Sequence, residues 1–232
     1  MSERLVRSVA MASLLVLQAT FSVAQPSSRG VALEGGAGLA HQDGATGTTY
    51  TTYVTAPGGT TFGWSAGIGV PVVRSLEALV ELSSTGRMSA TEPSRYFTTY
   101  EEERRDRTLM VGVRYSMDLG RYVAVEPSVG IGFTFAHAWS RAVYTDPVAL
   151  RPPQPRVRHQ LDTGIGPSFG VDLRLGSEHL AIVPSARLIR TAVSSGRYDE
   201  STTSPDVEIG SIYPGGYPEW TQRADIKLRL RF

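Results

Sequence analysis

The 232-residue chain contains no cysteine. A disulfide framework, a thiolate metal site, a thiol nucleophile and a lipid-anchored N-terminal cysteine are therefore excluded. A charge excess is missing too: 23 Lys and Arg stand against 22 Asp and Glu, a net of +1, so no electrostatic ground exists for a nucleic-acid partner. Its four histidines, His41, His137, His159 and His179, are dispersed without metal-ligand spacing. No H-E-x-x-H, G-x-S-x-G, phosphate loop or dinucleotide fingerprint occurs. No metal and no cofactor are expected. At 41% apolar and 19% charged, with 24 Gly and 14 Pro, the composition is that of an ordinary folded chain of one or two domains.

The first 24 residues read as an export signal: Arg4 and Arg7 precede the apolar run Val9 to Leu17, and Ser22, Val23 and Ala24 supply small residues before a cleavage point. Removing residues 1–24 takes away Arg4, Arg7 and Glu3 and leaves 21 basic and 21 acidic residues. Residues 25–232 then form one domain. Beyond the signal no apolar run approaches the ~18 residues of a helical span.

What recurs instead is alternation with period two. In Thr221 to Phe232, Ala224, Ile226, Leu228, Leu230 and Phe232 alternate with Arg223, Asp225, Lys227, Arg229 and Arg231. On a strand these sets face opposite sides. Gln160 to Leu175, Tyr122 to Trp139 and Arg107 to Leu119 repeat the pattern, and Val31 to Ala40, Phe62 to Val72, Leu76 to Ala90 and Leu180 to Thr191 carry weaker versions. Eight strands result. Short links (Pro71 to Leu76, Leu119 to Tyr122, Gly176 to Leu180) alternate with long ones (Gln42 to Thr61, Thr91 to Asp106, Thr145 to His159, Gly196 to Trp220). An up-and-down sheet with all long loops at one end follows.

Either face could point inward. In a soluble barrel the apolar set fills the interior, and in a membrane barrel it meets lipid. The polar faces favour the second assignment, because they are rich in glycine and serine and their ions balance. They hold the acids Glu34, Glu77, Glu81, Asp118, Glu126, Asp162, Asp172 and Asp225, and the bases Arg87, Arg114, Arg174, Arg187, Arg223, Lys227, Arg229 and Arg231. An enclosed interior needs such pairing, since an unpaired buried ion costs several kcal/mol. Pairing of Glu77, Glu81 and Glu126 with Arg114, Arg187 and Arg229 across the lumen is expected. Aromatics also cluster at two levels, with Phe62, Trp64, Phe133, Phe135, Trp139 and Trp220 toward the long loops and Tyr115, Tyr122 and Phe232 toward the short turns. The expected fold is all-β: an eight-stranded antiparallel up-and-down transmembrane β-barrel. A secreted soluble ligand-binding β-barrel remains the other reading of the alternation.

Over residues 30–232 the sequence resembles the small eight-stranded bacterial outer-membrane proteins of the OmpA membrane-domain and OmpX type. The resemblance rests on the signal, the strand count, the loop asymmetry and the alternating last strand that ends in Phe232. It implies residence in the outer membrane among lipid and lipopolysaccharide. It further implies that Phe232 is an assembly signal read by the barrel-insertion machinery. No peptidoglycan-binding segment follows Phe232, so no cell-wall anchoring is expected.

Three prolines, Pro127, Pro167 and Pro184, fall on the apolar faces near mid-strand, where each removes a ladder donor and reads as a bulge or bend. His137 and Ser140, three residues apart on one strand, face opposite sides, so they are no nucleophile–base pair and no enzymatic activity is expected. Arg151, Arg156 and Arg158 in the third loop are candidates for contact with lipopolysaccharide phosphates. The expected role is envelope integrity or surface interaction with an unknown loop partner, with a small-solute channel as the alternative.

Overall fold

The computed structural model describes residues 30–43, 45–48, 53–56, 58–92, 97–144, 155–190, 192–201 and 220–232. Its strands in chain order are β1 (Ala32–Gln42), β2 (Ala45–Thr48), β3 (Tyr53–Ala56), β4 (Gly59–Val73), β5 (Leu76–Ser84), β6 (Met88–Glu92), β7 (Phe97–Tyr115), β8 (Met117–Gly120), β9 (Val123–Tyr144), β10 (Pro155–Gly176), β11 (Leu180–Arg190), β12 (Ala192–Ser201) and β13 (Trp220–Arg231). Across short breaks β5 continues into β6, β7 into β8 and β11 into β12, while β2 and β3 form a separate hairpin. The remaining described strands make eight antiparallel ribbons.

Ribbons with one apolar and one polar face bury one of them by curling, and the pairing shows the curl completed. β1 is bonded to β4 on one edge and to β13 on the other, so that Leu33 lies between Ile68 and Leu230. β13 in turn pairs with β11, which closes the ring. A closed sheet exposes no row of unpaired backbone groups, a condition that lipid imposes on any strand crossing it. No helix among the described residues is long and apolar enough to cross a membrane.

The short turns lie together: Arg74–Ser75, Arg121–Tyr122 and Ser177–His179. Gly176 enters the last of them at φ +138°, a conformation that a side chain would strain. Phe232 also ends here, its amide donating to the Val31 carbonyl at 3.1 Å. At the opposite end the strands run further than the hydropathy pattern implies. β7 spans 19 residues and β9 and β10 span 22 each, about twice the ~9–11 that one crossing takes. The stretch 97–106, expected as loop, is strand, and so are residues 155–159 and 196–201.

Polarity is arranged inside out relative to a water-soluble barrel. Ile226, Leu228 and Leu230 are 66%, 50% and 41% exposed, while Lys227 and Arg229 between them are 2% and 1% exposed. The outward row of β9 is apolar from Val123 to Phe133, beyond which Phe135 is paired with Arg107, and these ten steps of ~3.3 Å give about 23 Å of height at a ~45° tilt. That matches the ~25 Å lipid band of such barrels. Aromatics mark its rims: Arg190 lies 5.8 Å from the Trp220 ring centroid at one end, and Arg121 lies 5.3 Å from that of Tyr122 at the other. Val129 is 50% exposed near the middle of the row. Val129→Arg is expected to destabilise the barrel by about 2–4 kcal/mol, measured as the shift in urea unfolding of protein refolded into vesicles. A loss below a few tenths of a kcal/mol would place this row outside the hydrocarbon.

Candidate functional site

The lumen is the most unusual chemical environment of the molecule, and it is assembled by parity alone. Every second residue of eight ribbons points inward, so charges distant in sequence converge on one axis. Arg114 of β7 stands at the centre. Its guanidinium lies 2.6 Å from Glu34 of β1, 2.6 Å from Glu77 of β5, 3.0 Å from Asp172 of β10 and 3.7 Å from Glu126 of β9. Five ribbons thus meet at one side chain that is 1% exposed.

A second cation shares these acids. Arg229 of β13 is 2.7 Å from Glu34, 2.7 Å from Glu126 and 3.7 Å from Asp172. None of its three nitrogens is angled for a hydrogen bond, so it acts as a charge among carboxylates rather than as a fork. Arg187 of β11 pairs with Asp172 at 2.7 Å and with Glu81 at 3.6 Å. Lys227 donates to Glu81, and Arg231 to Glu77. Arg174 bridges Glu126 at 3.5 Å and Asp118 at 2.6 Å, the latter half-exposed at the short-turn mouth. β4 contributes space in place of charge: a Cβ on Gly69 would lie 3.0 Å from both the Arg114 and the Glu77 head groups.

Nearer the long loops is a smaller cluster. Arg104 binds Asp106 through two bonds of 2.9 and 2.5 Å, and Gln42 donates to Asp106 and to Thr221, each at 2.6 Å. Arg223 donates to Asp225 at 3.2 Å, which also accepts from Ser65 at 3.3 Å. Leu79, Met110, Val183 and Ile189 point inward as well and are at most 3% exposed. The described lumen is filled by its own side chains.

One of the anticipated positions needs revision, and a second has a side chain outside the described residues. Arg87 is not in the lumen: its side chain is 75% exposed and faces Glu103 at 3.6 Å. The cause is local. Ser83, Ser84 and Thr85 are buried consecutively, the strand breaks after Ser84, and Met88 takes the inward place instead. Asp162 lies in β10 on the inward parity, but its side chain is outside the described residues. Arg104 and Asp106, which the hydropathy pattern assigns to a loop, also occupy the interior, so that eight acids and eight bases are found there among the described residues. Their signal was parity: Arg104, Asp106 and Thr108 continue the inward series of Met110, Gly112 and Arg114.

Residues 1–29 and Arg151 lie outside the described residues, whereas Arg156 and Arg158 belong to β10, their side chains not described. Phe232 is 75% exposed at the short-turn end. His137 points outward beside Phe135 and Trp139 on its own strand, and Ser140 has the opposite parity. Among the described residues no group of acids and histidines is arranged to hold a metal.

No family model and no curated protein sequence matches this chain. Solved structures do. A major outer membrane protein from Thermus thermophilus is 17% identical, with 88% of this chain and 100% of that one covered at a TM-score of 0.52. The fold is that of a small eight-stranded outer-membrane β-barrel. The outer membrane protein OprG from Pseudomonas aeruginosa is 9% identical with a TM-score of 0.48, covering 88% of this chain and 98% of its own. Ail of Yersinia pestis, in complex with the heparin analogue sucrose octasulfate, is 9% identical over 88% of this chain and 99% of that one, with a TM-score of 0.47.

In this barrel the lumen network carries a measurable cost of disruption. Arg114→Met leaves Glu34, Glu77 and Asp172 short of a counter-charge, and a stability loss of about 3–5 kcal/mol is expected from unfolding of the refolded protein in micelles. Adding Glu77→Gln to that variant should recover part of the loss. No recovery would mean that Arg114 acts by packing alone.

Proposed function

We propose that the chain is a non-enzymatic integral protein of the bacterial outer membrane, with a closed interior, whose role in envelope integrity or surface interaction is exercised at the long-loop end. The observation that carries this reading is the Arg114 centre. A guanidinium held by carboxylates from four other ribbons occupies the axis that a solute would have to follow. Eight-stranded barrels have interiors just wide enough for their own side chains, and here those side chains are ions that cannot swing aside singly without losing their partners. The long-loop end, by contrast, raises strands well clear of the lipid band, as a surface meant to meet something does.

Planar-bilayer recording of the refolded protein should therefore show no stable open level, for wild type and for Arg151, Arg156 and Arg158 substitutions alike. A large, steady conductance that grows in Arg114→Ala would reassign the molecule to small-solute transport.

The same reading makes Phe232 a recognition element for the barrel-insertion machinery rather than a structural residue. Its ring is 75% exposed, so it packs little against the rest of the barrel. Phe232→Ala is expected to refold in detergent with an unchanged unfolding midpoint, while the assembled, heat-modifiable form in cells falls several-fold. Equal assembly in cells would remove that role.

A further inference from the structure

Just above the lipid band, on the outward face where β6, β7 and β9 meet, lies a groove of about 550 Å³, bordered on its inner side by Arg104, whose charge is already held by Asp106. Arg87, Arg105, Arg107 and Glu103 line it over the rings of Phe135 and Trp139, with His137 between them. Its height follows from the register. Leu109 pairs with Phe133 in the last apolar row, and the next three rows outward set Arg107 against Phe135, Arg105 against His137 and Glu103 against Trp139. The groove therefore begins where hydrocarbon ends.

Charge in it is one-sided. Three guanidiniums face a single carboxylate, Glu103, which lies 3.6 Å from Arg87. Arg105, which lines the groove, is steadied by donation from Nε to Ser84 Oγ at 3.2 Å. Arg107, one row from the apolar band, has no carboxylate partner among the described residues. A cation is tolerated there because cost falls toward zero at the interface. Guanidinium forks match phosphate oxygens bidentately, and Phe135 and Trp139 offer a flat apolar floor to the sugar or acyl root beside such a phosphate.

From these features we infer that the groove binds the phosphate groups of an outer-leaflet phosphoglycolipid, holding the lipid against β7 and β9 at headgroup height. Arg105 and Arg107 grip the phosphate, and Arg87 closes over it once released from Glu103. The assignment rests on the membrane reading proposed above. It places the anionic-lipid contact on the barrel wall, separate from Arg151, Arg156 and Arg158.

The test uses the refolded full barrel in micelles doped with diphosphoryl lipid A, with bound lipid counted by native mass spectrometry. Wild type should retain the lipid, and the variant Arg87→Gln/Arg105→Gln/Arg107→Gln should retain about tenfold less or lower still. Arg107→Gln alone, which removes one surface charge, should fall between them and serves if the triple variant does not refold. Retention of dephosphorylated lipid A should match that of the triple variant. Equal retention by wild type and groove variants overturns the site. So does equal retention of the dephosphorylated lipid, displacement by equimolar inorganic phosphate, or loss confined to an Arg151/Arg156/Arg158 variant. A mature protein that stays monomeric in water without amphiphile and shows no heat-modifiable mobility instead defeats the membrane reading, whatever the lipid result.

Discussion

An ion enclosed by protein must find its counter-ion inside the same enclosure, and most of what is distinctive here descends from that requirement. Lipid takes the apolar face of every ribbon, so the polar face has nowhere to go but the axis. There it meets the polar faces of seven others. Charges that water would screen in a soluble barrel must instead be matched one for one, and the described lumen matches them. Arg114 and Arg229 do most of the joining because a guanidinium can address several carboxylates at once, whereas Lys227 serves a single acid among its close contacts.

This arrangement also explains the small residues. Glycine on the inward face is not a sign of looseness. At Gly69 the missing side chain is the space in which the Arg114–Glu77 pair sits, so β4 takes part in the network by omission. Rigidity of the interior and freedom of the exterior then divide the molecule. The lumen is committed to holding the wall together, and recognition falls to surfaces that the wall supports: the extended strand ends and the basic groove beside them. Residues 101–107 serve both regions, with Arg104 and Asp106 turned inward and Glu103, Arg105 and Arg107 turned out.

The barrel was legible in the sequence wherever one face met lipid, because there hydropathy itself alternates with period two. It stopped being legible at the band's upper rim. In Glu101 to Arg107 both faces are charged, the alternation vanishes from hydropathy although it persists in the backbone, and the segment reads as loop. Arg87 misled for a different reason: counting by twos assumes an unbroken strand, and the break after Ser84 shifts the count.

By itself, then, the sequence determined the ribbon count, the face of each inward residue within the band and the neutrality of the enclosed set, since each depends on neighbours two apart along one strand. Only the tertiary structure decided which acid answers which base, that Arg114 rather than another arginine is the centre, and that three arginines share a groove with Phe135 and Trp139. Those facts depend on stagger between ribbons and on distance across the barrel, and neither is written in the order of residues along a single strand.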